Sequence, residues 1–346
     1  MKDFRLSIVV TLACLAVAGY WGAQSGQGAV PAIFLAFILG VMEVSLSFDN
    51  AVVNASVLKD MEEKWQRIFL TIGILIAVFG MRLLFPILIV TVATGLGMGE
   101  VATMALDRPE EYARHLQESH VGIAAFGGVF LMLVFLSFLF DESKELHWLG
   151  TIEERLSRLG KLGSIEVMAA LLILFVLQYV LPLEPLERLT MLVAGVGGVI
   201  LYIAVSSVGS LFENDEDGNA AVTAAKRNGV AGFLYLEILD ASFSFDGVIG
   251  AFAITRDVII IMLGLAIGAM FVRSLTVHLV RKGTLDEYVY LEHGAHYAIG
   301  VLAGIMLAGI VYHVSEVVTG LIGIGFILLA LVSSVRHRAK TLIAEN

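Results

Sequence analysis

Apolar runs long enough to cross a bilayer recur along the whole chain, and nothing else in the sequence limits its folding as severely. Crossing roughly 30 Å of hydrocarbon at about 1.5 Å per residue takes about 20 helical residues. Windows of that kind fall at 5–23, 31–57, 68–94, 121–140, 164–182, 189–212, 229–253, 257–280, 296–313 and 316–335, ten candidate helices in 346 residues. Composition agrees. Apolar residues make up 58% and charged residues 16%, against roughly a quarter charged in an ordinary soluble domain, and the mean hydropathy is +0.88. The expected class is all-α, a polytopic transmembrane helix bundle in contact with membrane lipid.

Orientation follows from the basic residues, which favour the cytoplasmic side in short loops. With ten spans, one side holds Lys2, Arg5, Lys59, Lys64, Arg67, Lys144, Arg155, Arg158, Lys161, Lys226, Arg227, Arg281, Lys282, Arg336, Arg338 and Lys340. The other holds only Arg108, Arg114, Arg188 and Arg256, while Arg82 and Arg273 lie inside spans. A missed or surplus span would scramble that alternation. Both termini are therefore expected in the cytoplasm, and a bacterial inner membrane with residues 95–120 in the periplasm is the expected setting. Lys2 and Arg5 ahead of an apolar stretch also fit a signal peptide, but an uncleaved first span completes the even count. The net charge of −10 comes from acids that, outside the apolar runs, sit mainly in short loops, so it points to no nucleic-acid partner. The one cysteine, Cys14, lies in the first window and cannot close an internal disulfide.

Between spans, residues 141–163 carry Ile152, Leu156, Leu159 and Leu162 at near-helical spacing with charges between them, the pattern of a short interfacial helix. Glu213-Asn-Asp-Glu-Asp-Gly-Asn219 is a polar turn at mid-chain. The expected organisation is a first transmembrane repeat over 1–163, spans five and six over 164–212 with the repeat boundary between them, a cytoplasmic linker over 213–228, and spans seven to ten with the tail over 229–346.

One motif occurs twice. Glu43-Val-Ser-Leu-Ser-Phe-Asp-Asn50 in span two returns as Asp240-Ala-Ser-Phe-Ser-Phe-Asp-Gly247 in span seven, and each copy is followed in the next span by a lone arginine, Arg82 or Arg273. Five spans separate the copies, so they cross the membrane in opposite senses. Inverted-topology repeats, here two of five helices each, are the recurring architecture of secondary transporters, with substrate bound near the midplane where the repeats meet. A charge at a helix centre costs about 2.5–3.5 kcal/mol on insertion scales, so these acids and arginines cannot face lipid. Asp49 with Arg82, or Asp246 with Arg273, would serve as purely structural ion pairs, but Glu43 and Asp240 would then be left without a purpose.

At about 100° per residue, Glu43, Ser47 and Asn50 share one stripe, as do Glu237, Asp240, Ser244 and Gly247; Asp49 and Asp246 stand about 120° round. Either a continuous helix presents two walls of a cavity, or the backbone unwinds near Ser-Phe-Asp and adds carbonyl ligands. Four carboxylates with serine hydroxyls and an amide oxygen form a hard, oxygen-only donor set that suits Mn²⁺, Mg²⁺ or Ca²⁺. The same carboxylates can carry protons in exchange. Candidate metal-site residues are thus Glu43, Asp49, Asn50, Asp240, Ser244 and Asp246, supported by Ser47, Glu237, Arg82 and Arg273. Gly40 and Gly250 near the motifs permit close helix approach, with ordinary membrane packing as the plainer account.

Other clusters are weaker. His293 and His296 beside Glu292 have metal-ligand spacing without the HExxH order of a metalloprotease, and interfacial anchoring is the plainer reading. His313 and Glu316 flank an outer turn. Asp141, Glu142 and Glu145 beside Lys144 close span four as a solvated helix end, a vestibule being the alternative.

The stretch Glu43 to Ala51, the segment Gly73 to Arg82, and Ser244-Phe-Asp-Gly-Val-Ile-Gly-Ala-Phe-Ala-Ile-Thr-Arg-Asp257 with Arg273 resemble the TerC family of integral membrane proteins, named for tellurium resistance. The likeness covers roughly residues 31–94 and 229–310 and is to a less characterised branch; the usual Asp-Ser of the second motif is here Asp246-Gly247. TerC proteins are associated with manganese export and metal-ion homeostasis, and the wider group is similar to the LysE exporters. The resemblance implies that Glu43, Asp49, Asn50, Asp240, Asp246 and Ser244 line a metal site. Manganese and the outward direction come from the resemblance alone.

The expected function is secondary transport of a hard divalent cation, not enzymatic catalysis. No Gly-rich phosphate loop is present to bind ATP. The alternative is a membrane scaffold or assembly factor holding a structural cation. An intramembrane hydrolase would need a nucleophile with its base, and no Ser/His arrangement lies at membrane depth. The metal, proton coupling and assembly into a homo-oligomer stay open.

Overall fold

Each of the ten apolar windows coincides with helix, as lipid requires, because backbone N–H and C=O groups there have no water to bond. The computed structural model describes residues 4–59, 61–211, 229–312 and 314–344; the expected linker at 213–228 and His313 lie outside the described residues. Among the described residues there is no strand. The helices are α1 (Arg5–Gln24), α2 (Ala29–Leu46), α3 (Phe48–Leu58), α4 (Glu63–Leu75), a π-helical segment (Ile76–Leu84), α5 (Phe85–Thr94), α6 (Met98–Asp107), α7 (Pro109–Glu118), α8 (His120–Leu139), α9 (Thr151–Ser157), α10 (Ile165–Val180), α11 (Pro185–Leu211), α12 (Val230–Ile254), α13 (Val258–Lys282), α14 (Leu291–Gly309) and α15 (Glu316–Ala344).

The protein is a polytopic helical membrane protein. Among the described residues, seven helices are individually long and apolar enough to cross a membrane, and an eighth joins them if the bent pair Thr151–Lys161 and Ile165–Val180 forms one span. Of the ten expected spans, α12 and α14 fall outside that count. The first carries Glu237, Asp240 and Asp246 within its length, and the second begins with Glu292, His293 and His296.

The helices that carry the two motifs and their arginines contribute to two apolar cores. One includes Val52, Phe69, Leu131, Leu239 and Leu279; the other includes Leu39, Val90, Val248, Ala251 and Leu265. The chain runs from the second core to the first along α2 and α3 (Leu39 to Val52) and returns along α4 and α5 (Phe69 to Val90). In the other half α12 runs from the first core to the second (Leu239 to Val248), and α13 returns (Leu265 to Leu279). Asn50 meets Asp240 while Glu43 faces Gly247, so the two motifs run antiparallel, with Glu43, Arg82 and Arg273 lying along their helices between residues of the two cores.

Small residues hold the two halves close. Ala36 and Gly40 of α2 face Gly264 and Gly268 of α13: a Cβ on Gly264 would stand 2.9 Å from the Ala36 carbonyl oxygen. One on Gly268 would stand 2.9 Å from the Gly40 carbonyl oxygen and overlap the Glu43 side chain. Such small-residue seams let membrane helices pack by close backbone contact. Gly268→Ala is expected to destabilise the fold by about 1–3 kcal/mol, read as a lower thermal midpoint of the purified protein in detergent. Gly304→Ala, where an added Cβ meets nothing within 4 Å, is the control expected to leave the midpoint unchanged.

Residues 95–120, given no secondary structure by the apolar windows, form α6 and α7, which bury Val101, Met104, Tyr112 and Leu116 in the second core. Residues 141–163, expected to hold a short helix, contain α9, continued by a 3₁₀ turn at Arg158–Lys161. Ile152 of α9 is exposed, as are Leu159 and Leu162 beyond it, while Glu153 is wholly buried, so these apolar side chains are left uncovered and the acid faces inward. The Glu153 carboxylate accepts from Lys144 Nζ at 2.8 Å and from the Leu149 N–H at 3.1 Å. Burial works against its ionisation, but the Lys144 ammonium and that N–H outweigh burial and hold the carboxyl below its usual value.

Candidate functional site

The first motif is a broken helix. α2 ends at Leu46, α3 starts at Phe48, and Ser47 between them sits at φ −105°, ψ 19°. The second motif lies inside the continuous α12, so the two copies realise the two geometries left open by the sequence. Ser47 Oγ donates to Glu43 Oε1 at 3.3 Å. The main partner of Glu43 is Arg82, and both side chains are almost fully buried. Arg82 belongs to the nine-residue π-helical segment and donates to the Ala77 carbonyl oxygen at 2.6 Å. Segments of this kind are rare and cluster at functional sites.

The structural Asp49–Arg82 pair, the alternative, is therefore not the pair that forms. Asp49 opens α3 just past the break, about 120° round from the Glu43 stripe, and accepts from the Asn50 N–H at 3.0 Å. Its carboxylate turns toward α15, where a Cβ on Gly323 would stand 3.4 Å from Oδ2.

Arg273 anchors the second half. It donates to Glu237 Oε1 at 3.3 Å, lies 3.9 Å from Asp240 Oδ2, and reaches across to the first half, donating to the Phe69 carbonyl oxygen at 2.6 Å. Its guanidinium carbon also stands 4.0 Å from the centre of the Phe69 ring, a cation–π contact. Asp240 closes the circuit: its Oδ1 accepts from Asn50 Nδ2 at 2.8 Å. Ser244 Oγ donates to the Asp240 carbonyl oxygen at 2.7 Å. The backbone of Asp246 continues α12, and its side chain lies outside the described ones.

Glycines shape the remaining walls. A Cβ on Gly247 would stand 2.6 Å from Glu43 Oε2, so any side chain here would strike the buried Glu43–Arg82 pair. A Cβ on Gly73 would overlap Glu237 and stand 2.6 Å from the Arg273 guanidinium. Asn50 with Asp240, Gly247 with Glu43, and Phe69 with Arg273 each join one half to the other, so the expected residues Glu43, Asn50, Asp240 and Glu237 and both arginines make one composite site. Asp49 stands to one side of it.

The site is a closed set of charges with unused acceptors. Asn50 Oδ1, Asp240 Oδ2 and Glu237 Oε2 are buried without a hydrogen-bond donor, and the Nε of Arg82 and of Arg273 lack acceptors. Three hard oxygens from both halves are the donor type a divalent cation such as Mn²⁺, Mg²⁺ or Ca²⁺ takes. Among the described residues, no three of His, Cys, Asp and Glu converge closely enough to hold a metal ion, so amide oxygens, backbone or water must complete any such shell. Gly268 and Phe69 had no distinguishing mark in the sequence, since only the folded contacts give them a role.

The histidine pair is tied into packing. His293 Nε2 donates to the Leu146 carbonyl oxygen at 3.0 Å, with Glu153 Oε1 at 3.5 Å. His296 Nδ1 donates to the Glu292 carbonyl oxygen at 2.9 Å, and its ring stacks on Phe138 with centroids 4.0 Å apart. Compared with known proteins, residues 48–341 match the family model described as Protein of unknown function (DUF475). No curated protein and no solved structure matches.

Proposed function

The chain belongs to DUF475, a family of proteins of unknown function, and we propose that it is a secondary transporter exporting a hard divalent cation, manganese above others, through the composite acidic site. The observation that carries the reading is the set of three buried oxygens without donors, Asn50 Oδ1, Asp240 Oδ2 and Glu237 Oε2, at a junction of two oppositely directed motif pairs. The preference for manganese and the outward direction rest on the likeness of the motif residues to TerC proteins.

Arg273 sets the chemistry. Its guanidinium offsets one of the two negative charges of Glu237 and Asp240, so a cation that takes their oxygens repels it. Arg273 has a second holding point in the Phe69 carbonyl and ring, which belongs to the other half. Cation occupancy is thus coupled to how the halves sit, the requirement of a rocking, alternating-access cycle. Protonation of the same carboxylates supplies a return step in which H⁺ is exchanged for metal.

One observation favours the scaffold alternative: each arginine is already paired with a carboxylate without a metal, and no three of His, Cys, Asp and Glu converge among the described residues. Uptake of Mn²⁺, Mg²⁺, Ca²⁺ and Zn²⁺ into everted membrane vesicles separates the two. The expected result is uptake of Mn²⁺, competed by Mg²⁺ or Ca²⁺, with none of Zn²⁺. Uptake of none of the four, above vesicles lacking the protein, would leave the scaffold.

A further inference from the structure

The buried oxygens without donors do not stop at the acid site. Asn54, one turn beyond Asn50 on α3 and only 2% exposed, also has its Oδ1 without a hydrogen-bond donor. Residues three and four apart share a helix face, so Asn50, Asn54 and Val57 form one stripe along α3. Val57 lines a cavity of about 570 Å³ whose wall also carries Asp141, Glu145 and Glu292 beside Lys59 and Lys144. This cavity lies at the lysine- and arginine-rich end of the bundle, the end expected in the cytoplasm.

We propose that Asn54 is a coordination subsite for a hard divalent cation, between this cavity and the Asn50–Asp240 site. The identity of its ligand rests on the transporter reading. An amide oxygen is a hard acceptor that replaces a water of the cation's shell without adding charge. Conduction needs sites that bind well enough to admit an ion and weakly enough to release it. A neutral amide placed ahead of the carboxylates meets both needs, and Val57 beyond it offers no polar atom.

The test uses everted vesicles, whose outer surface is the cytoplasmic face. In a Cys14→Ser background, Asn54→Cys and Val57→Cys are treated with a small, membrane-impermeant cationic thiosulfonate, with and without Mn²⁺. Both are expected to react, and Mn²⁺ is expected to slow the reaction at Asn54→Cys several-fold more than at Val57→Cys. In parallel, Asn54→Leu is expected to lower initial Mn²⁺ uptake about tenfold or more, while equilibrium binding of Mn²⁺ to the purified protein, set by the intact carboxylates, is kept. Silence of Asn54→Cys while Val57→Cys reacts overturns the proposal, and so does reaction that Mn²⁺ does not slow, which marks a hydrated pocket only. If wild-type vesicles take up no metal, the transporter reading fails by itself. Protection of Asn54→Cys by Mn²⁺ would then still establish a cation subsite, and its absence would remove one.

Discussion

Arg82→Met is expected to destabilise the protein by about 3–5 kcal/mol, because it leaves the buried Glu43 carboxylate without its counter-charge. Side-chain exposure is 3% for Arg82 and 1% for Glu43, so no water can take the guanidinium's place. The Ser47 hydroxyl at 3.3 Å is too weak a donor to substitute for a cation. Adding Glu43→Gln to Arg82→Met removes the stranded charge, and most of the lost stability is expected to return, since both members of a buried pair can often be replaced at little net cost. Thermal or denaturant unfolding in detergent reads both. If the single and double variants are equally destabilised, the pair is not what stabilises this region.

Asp240→Asn is expected to do the opposite: leave stability nearly intact and stop transport. Asparagine keeps the shape of the side chain, and its Oδ1 can still accept from Asn50 Nδ2, now 2.8 Å from the aspartate. Arg273 retains Glu237 at 3.3 Å and the Phe69 carbonyl at 2.6 Å. The fold is therefore expected to lose less than about 1.5 kcal/mol. A cation, by contrast, loses a negative charge and a ligand oxygen. Removing groups one shell further out from a metal typically costs 10–100-fold in affinity, so transport is expected to fall about 100-fold or more. A purely structural Asp240 would show the reverse, a falling midpoint with unchanged transport per folded molecule.

The helical membrane class was legible because it depends on length and apolarity, by which seven helices among the described residues, or eight with the bent pair, can cross a membrane. All ten windows became helix, and the duplicated motif with its downstream arginine marked residues that do converge. Pairing was not legible. Arg82 joins Glu43, not Asp49, which turns toward Gly323, and no propensity in Val-Ser-Leu-Ser-Phe-Asp, where the helix breaks, distinguishes it from the unbroken Ala-Ser-Phe-Ser-Phe-Asp of α12. Gly247 has no side chain to suggest a role, and the structure makes it the space that Glu43 occupies. Asn54 stands four residues after Asn50, a spacing visible in the sequence, but its buried and donorless oxygen is a property of tertiary packing. The helices α6 and α7 escaped because each is too short for a span, and their apolar residues gain meaning only against the second core.

The central claim is that a hard divalent cation crosses the membrane through the site shared by the two halves. Purified protein in liposomes containing a metal-sensitive dye tests it most directly, with Mn²⁺ added outside to the wild type and to Asp240→Asn at equal amounts of folded protein. The account predicts Mn²⁺ entry through the wild type and entry slower by about 100-fold or more through the variant. Equal entry through both, or none through the wild type, would contradict it.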